Sequence, residues 1–352
     1  MGAGTCLLHA TLIMSTQFVS RAWRLFGSTF LRAAATATLA TTGMVGAQAT
    51  DLGPVSRQPI AFPCQAVQCV GELWMPTSVA PGVKPPVVIM AHGFGATIEF
   101  GLKPFANRFA QAGFAVVLFD YRGFGRSGGQ PRQVVDGQEH VKDWVAAIDA
   151  VAQRPEVDGT RLAIWGSSYS GGHVLMAAAQ RPKLVKAVSS QVPFVNGLSS
   201  SLLFPIKYQP VAGFQALRDL LRSDKDEPLY VPIIAKDGLA ALICAECWEG
   251  YMALVPKGHE AELNRVAARV FLSLPFYNPG RAAKDIAAPV LMIAADNDGL
   301  IPIQKVRETA AELRHGTFVE LKGAHHFSPY MGPVFEDVVA RQTAFFKANL
   351  AR

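Results

Sequence analysis

Trp165-Gly166-Ser167-Ser168-Tyr169-Ser170-Gly171-Gly172 is the stretch on which the fold turns. Arg161 to Trp165 before it reads as a buried strand, and Tyr169 to Gln180 after it has the period of a helix. A strand that passes straight into a helix bends so sharply that the residues two before and two after the corner must be very small. Gly166 and Ser170 meet that condition around Ser168, and Gly171 and Gly172 let the helix lie close to the sheet. The bend lifts the Ser168 hydroxyl above the strand end, as a nucleophile elbow requires. Ser170 competes for the role, flanked by Ser168 and Gly172 at the same offsets, but it stands two residues deeper in the helix. A serine-rich turn at a helix start can also be structural or receive an anion.

Working outward, strand-like runs at Cys69 to Met75, Val87 to Ala91 and Phe114 to Phe119 and a helix over Gln138 to Val151 precede the elbow. After it come strands at Val185 to Ser190 and Val290 to Ala294, a helix near Ile303 to Leu313, a strand at Thr317 to Leu321 and a helix from Val334 to Asn349. Strands alternating with helices predict an α/β fold with a mostly parallel sheet covered on both faces. About a hundred residues between Gln191 and Pro289 break the alternation, mostly with helical period and with proline joints. They read as an inserted helical cap over the carboxyl edge of the sheet. The expected division is a leader over 1–49, a core over 50–190, a cap over 191–288 and the rest of the core over 289–352. Phe204, Tyr208, Trp248, Tyr251 and Phe276 are the aromatic candidates for a pocket wall in that cap, or for its own core.

A serine hydroxyl is a weak nucleophile and needs a base, which in turn needs a carboxylate to orient it. In strand-helix folds with this elbow the chain order is serine, acid, histidine. Asp296-Asn297-Asp298-Gly299-Leu300-Ile301-Pro302 follows a late strand, and Gly323-Ala324-His325-His326-Phe327 follows the last. His326, directly before Phe327, is the expected base. Asp298, spaced from Pro302 as Asp-x-x-x-Pro, is the expected acid, with Asp296 in reserve. Attack on a carbonyl creates an oxyanion that preset donors must hold. The backbone N–H of Tyr169 and that of Phe94, in His92-Gly93-Phe94-Gly95, are the candidates, while His92 braces its loop. Asp120 to Ser127 lacks the third glycine of a dinucleotide fingerprint and reads as a structural turn.

Half of the 352 residues are hydrophobic and 17% are charged, which excludes a disordered chain. The net charge is +6, but Arg21, Arg24 and Arg32 are the charged side chains before residue 50, so the remainder carries +3 and no basic run. Nucleic acid is therefore not an expected partner. Residues 1–49 combine those arginines with a small, apolar stretch from Ala33 to Ala47 and close on Ala47-Gln48-Ala49, the layout of a signal peptide cleaved after Ala49. Met14 would begin a segment of more ordinary signal length. Secretion or periplasmic export without a remaining membrane span is the expectation. Cleavage leaves Cys64, Cys69, Cys244 and Cys247, which admit three disulfide pairings, the local one being simplest. Cys244-x-x-Cys247 could also be half of a metal site, but no second pair stands at ligand spacing, so no metal is assigned.

Taken together, His92 to Gly95, Asp120 to Ser127, the Ser168 elbow, Asp298 with Pro302 and His326 with Phe327 resemble the α/β-hydrolase superfamily over residues 55–350. The resemblance implies an eight-stranded, mostly parallel sheet with a cap and a triad of Ser168, Asp298 and His326. Trp165 to Gly172 with Gln191-Val192-Pro193-Phe194 is similar to Xaa-Pro dipeptidyl-peptidase-like and polyketide-transferase-like hydrolases, although many of those have Gly where this chain has Ser170. The expected activity is cleavage of a carboxylic ester, on a small molecule or a polymer, through an acyl-enzyme and without a cofactor. An Xaa-Pro-type peptidase or an acyltransferase would use the same triad, and a non-catalytic binding protein would keep the fold alone. The cap, rather than these motifs, decides the substrate.

Overall fold

The computed structural model describes residues 55–76, 80, 82–222, 227–259 and 263–351. The expected leader and its cleavage point lie outside the described residues. Thr50 to Arg352 forms one compact unit.

Its eight-stranded sheet comprises β1 (Val55–Cys64), β2 (Val67–Pro76), β3 (Pro86–Ala91), β4 (Ala115–Phe119), β5 (Asp158–Ser167), β6 (Val185–Gln191), β9 (Val290–Ala295) and β10 (Gly316–Leu321). Their spatial order is β1-β2-β4-β3-β5-β6-β9-β10. From β4 to β10 every pairing is parallel, and β2 runs antiparallel to both β1 and β4. β3 alternates its buried side chains between the two faces: Val87 and Ile89 enter one core, Val88 and Met90 the other. This period of two follows from the pleat. α1 (Lys103–Gln111) and α9 (Gly332–Asn349) cover the second face through Phe105, Phe109, Val338 and Phe346. α2 (Gly137–Ala152), α3 (Tyr169–Gln180) and α8 (Ile303–Ala311) supply Trp144, Ile148, Val174, Leu175 and Val306 to the first. Each such fully buried side chain contributes roughly 1.5–3 kcal/mol.

Between β6 and β9 the inserted segment is less helical than its sequence period suggests. It holds α4 (Gly197–Ser201), α5 (Gln209–Leu220), α6 (Cys247–Met252), α7 (Val270–Ser273) and a two-stranded ladder of β7 (Tyr230–Val231) with β8 (Val266–Ala267). Proline at the starts of α5 and of the 3-10 turns Leu274–Phe276 and Pro279–Asp285 breaks the segment into short pieces. Disulfides join Cys64 to Cys69 and Cys244 to Cys247, the local pairing. The first closes the β1–β2 hairpin, and the second closes a turn of the cap.

Candidate active site

β5 ends at Ser167 and α3 begins at Tyr169, so Ser168 alone makes the turn. Its φ of 59° and ψ of −121° lie where L-residues are strained, and the neighbourhood must hold it there. The Ser168 N–H donates to Gln191 O at 2.9 Å, and Ser168 O accepts the N–H of Phe194 at 2.9 Å. A Cβ on Gly166 would stand 2.3 Å from Ser170 O, which explains the glycine two residues before the corner. Ser170 itself is enclosed: its Oγ lies 2.9 Å from the Tyr121 hydroxyl and 3.3 Å from Trp144 Nε1. The rival nucleophile is committed to holding α3 against the turn of Asp120 to Ser127.

The loop after β10 brings His326 to the corner, with Nε2 2.9 Å from Ser168 Oγ. On the other edge of the ring, Nδ1 is 2.7 Å from Asp298 Oδ2. The second carboxylate oxygen, Oδ1, accepts the N–H groups of Leu300 and Ile301, each at 2.9 Å, so the acid is oriented by its own loop. His326 and Asp298 are almost wholly buried. His325 serves its own turn, its Nδ1 accepting the N–H of Phe327 at 3.2 Å. Asp296, at the end of β9, is not the carboxylate bonded to His326. A histidine held between a hydroxyl and a buried carboxylate can take the hydroxyl's proton and be stabilised as it does so.

Above Ser168 crosses the loop after β3. A Cβ on Gly93 would come within 3.2 Å of Ser168 Cβ, so the backbone at Gly93 and Phe94 lies directly against the corner. Tyr169 occupies the first position of α3, where an N–H has no acceptor within its own helix. Phe94 and Tyr169 line the same cavity as Ser168. His92 braces this loop: its ring is buried, Nδ1 lies 3.1 Å from Gly93 O, and desolvation lowers its pKa to about 3. His140 and His173, also buried, are likewise held well below the ordinary histidine range by desolvation first. His140 stacks on Tyr121 at 4.1 Å between ring centroids, and His173 Nδ1 shares a 2.6 Å hydrogen bond with the Tyr277 hydroxyl. Asp120, whose pKa is raised by burial, accepts the N–H groups of Ile98 and Arg126. The turn it anchors is structural, as its sequence suggests.

Ser168 and His326 open into a cavity of about 350 Å³. Its walls are largely apolar, with Phe194, Leu203, Phe204, Leu242, Phe271 and Leu274 from the inserted segment facing Phe94 from the core. Of the five aromatic side chains expected there, Phe204 alone lines it. Tyr251 is buried against Phe100, Trp248 packs against the core, Tyr208 lies under the Lys207 ammonium, and Phe276 is 83% exposed. The proline joints orient these rings, and helical period says nothing about such joints.

The supporting roles of three residues were not evident from the sequence. Gln191 Nε2 donates to Ser167 Oγ at 3.0 Å and Gln342 Nε2 donates to Gln191 Oε1 at 3.0 Å, a chain of amides under the elbow. Glu246 accepts the N–H of Gly299 beside the acid. Its place between two cysteines was the available signal.

Sheet order, elbow and cap define a hydrolase of the α/β fold. The model of the X-Pro dipeptidyl-peptidase (S15 family) matches residues 67–216. The quorum-quenching protein AidA of Acinetobacter baumannii is 39% identical, over 84% of this chain and 95% of its own length. A monoacylglycerol lipase of Mycolicibacterium smegmatis is 30% identical over 67% of this chain and 77% of its own. The crystal structure of the α/β hydrolase GrgF from Penicillium superposes with a TM-score of 0.71 at 25% identity, covering 84% of this chain and all of that one. The chain belongs to the α/β-hydrolase superfamily.

Proposed function

We propose that the protein is an exported serine hydrolase that cleaves carboxylic esters with apolar acyl groups through an acyl-enzyme. Ser168 attacks the carbonyl carbon while His326 takes its proton. The N–H groups of Phe94 and Tyr169 hold the oxyanion, and His326, steadied by Asp298, returns the proton to the departing alcohol. Water, activated by the same imidazole, then releases the acid. The observation that carries this reading is the pair of hydrogen bonds on His326, 2.9 Å to Ser168 Oγ and 2.7 Å to Asp298 Oδ2. The cap, taken as residues 191–288, supplies the acyl-side wall. Export is supported by the two disulfides.

An ester fits better than a peptide because no Asp or Glu lines the cavity among the described residues, so a cationic amino terminus would find no carboxylate there. Acyl transfer is a second reading, supported by relatives named polyketide transferases, such as one from Penicillium at 26% identity over 76% of this chain and 89% of its own. Fluorophosphonate labelling followed by peptide mapping tests the chemistry. An adduct on Ser168 is expected, and folded protein that takes no label there would defeat the assignment. Hydrolysis of p-nitrophenyl esters with and without an added alcohol separates transfer to water from transfer to a second acceptor.

A further inference from the structure

The turn that carries His326 brings a second side chain to the elbow. Tyr330, four residues on, ends the 3-10 turn Ser328–Tyr330, and its hydroxyl lies 2.5 Å from Ser167 Oγ. Two side chains of one turn thus meet two consecutive residues of the elbow, His326 on Ser168 at 2.9 Å and Tyr330 on Ser167 at 2.5 Å. Other bonds of the turn are internal. The Ser328 N–H donates to His325 O at 3.0 Å, the His325 N–H to Ser328 Oγ at 2.9 Å and the Tyr330 N–H to Phe327 O at 3.1 Å. They fix the shape of the turn but not its distance from Ser168.

Packing accounts for the Tyr330 ring and leaves its hydroxyl over. The ring meets Phe105 edge-on at 6.1 Å between centroids, and a Cβ on Gly101 would stand 3.2 Å from Tyr330 Cδ1. A phenylalanine would make the same contacts. The hydroxyl, set against an apolar core, needs a polar partner, and the one it has is fixed in place. Ser167 ends β5 and is 1% exposed, and its Oγ accepts the Gln191 amide that Gln342 holds in turn. Neither glutamine has exposed surface. Desolvation pushes the Tyr330 pKa up to about 12, so the phenol stays neutral at ordinary working pH. The tight corner asks for small residues at 166 and 170 and makes no such demand at 167, so the hydroxyl of Ser167 has another use.

We propose that Tyr330 is a positioning residue for the base: its hydroxyl, held on Ser167, sets the distance and angle at which the His326 imidazole meets Ser168. A single hydrogen bond lets the turn swing about that contact. A second, on the neighbouring residue of the elbow, removes the freedom. Proton transfer from hydroxyl to imidazole needs heavy atoms about 2.6–3.2 Å apart, and a misplacement of about 1 Å can cost ~100-fold in rate. The proposal rests on the assignment of Ser168 and His326 as nucleophile and base.

Fluorophosphonate labelling and p-nitrophenyl butyrate hydrolysis, run on the full chain, Tyr330→Phe, Ser167→Ala and the double variant, provide the test. Tyr330→Phe keeps the ring and should label Ser168 to one adduct per chain about tenfold more slowly than the parent, with kcat lowered alike and KM within about twofold. Ser167→Ala removes the same bond from its other end, so adding Tyr330→Phe to it should bring no further loss. A Tyr330→Phe variant that labels and turns over at the parent's rate overturns the proposal, as do losses that multiply in the double variant. Labelling that is incomplete but as fast as the parent's marks a loss of fold and overturns it too. If Tyr330→Phe does not fold, Ser167→Ala is compared with Ser167→Thr, which keeps a hydroxyl: slow labelling in the first alone supports the proposal, and equal rates overturn it. A parent that takes no label on Ser168 overturns the assignment of the nucleophile and this proposal with it, whereas a labelled parent matched by its variants overturns this proposal alone.

Discussion

Glu246 accepts the N–H of Gly299 at 2.9 Å, and this bond ties the disulfide-closed turn Cys244–Cys247 to the loop that carries Asp298. The fit is close: a Cβ on Gly299 would stand 2.9 Å from both Glu246 carboxylate oxygens and from Cys244 Cβ. The cap therefore braces the acid from outside while Leu300 and Ile301 orient it from within. Glu246→Ala should lower kcat for a p-nitrophenyl ester about tenfold, the loss of roughly 1.4 kcal/mol of positioning, with KM little changed. Glu246→Gln keeps an acceptor oxygen and should restore most of it. Steady-state kinetics on the three proteins decides whether Glu246 positions the loop.

For the proposed triad, Ser168→Ala and His326→Ala should each lower kcat by at least about 10⁴-fold while leaving the melting temperature close to that of the parent. Asp298→Ala should be nearly as damaging, and Asp296→Ala should stay within about threefold. A reversed order for the two aspartates would move the acid to the position held in reserve.

Acid should destabilise the fold through its buried histidines. His92, with its pKa lowered to about 3, and His140 and His173, held well below the ordinary histidine range by burial, stay neutral when folded but protonate in the unfolded chain near 6.5. The unfolded state thus binds more protons below that value, and stability falls as pH drops from 6.5 toward 3, by up to about 1.4 kcal/mol per pH unit for each histidine. His140, whose ring nitrogens have no hydrogen-bond partner among the described residues, isolates the effect. Urea unfolding at pH 7 and pH 5 should show His140→Phe losing about 2 kcal/mol less than the parent over that interval.

Acyl selectivity should follow the cavity wall. Phe271→Ala enlarges the cap side of the cavity and should raise kcat/KM for long acyl esters relative to butyrate by about tenfold, within the 1–3 kcal/mol that a methylene or two is worth in an apolar pocket. A chain-length series of p-nitrophenyl esters measures it. An unchanged profile would place the acyl group elsewhere.

Motifs in which backbone geometry dictates residue identity were the ones legible in the sequence. The corner at Ser168 needs tiny flanking residues, and α3 is readable to both its ends, Tyr169 and Gln180. β1 escaped notice because it is an edge strand with Pro59 and Pro63 in it, two residues that argue against a strand unless one side is unpaired. α1 was missed although Phe105, Ala106, Phe109 and Ala110 repeat at four residues, because nine residues give little period to read. Pocket walls were least legible, since whether Phe204 or Phe276 faces the cavity depends on the bends at Pro205 and Pro275, which tertiary packing sets.

Ser167, Gln191 and Gln342 form an unbroken ladder of hydrogen bonds from the nucleophile's corner to the last helix. Gln342 lies within the final eleven residues of the chain. Without Gln342 the corner loses its far support, and the buried Gln191 amide oxygen loses its donor. A protease that cuts α9 ahead of Gln342 would therefore take away the far end of that ladder while leaving Ser168, Asp298 and His326 in the chain.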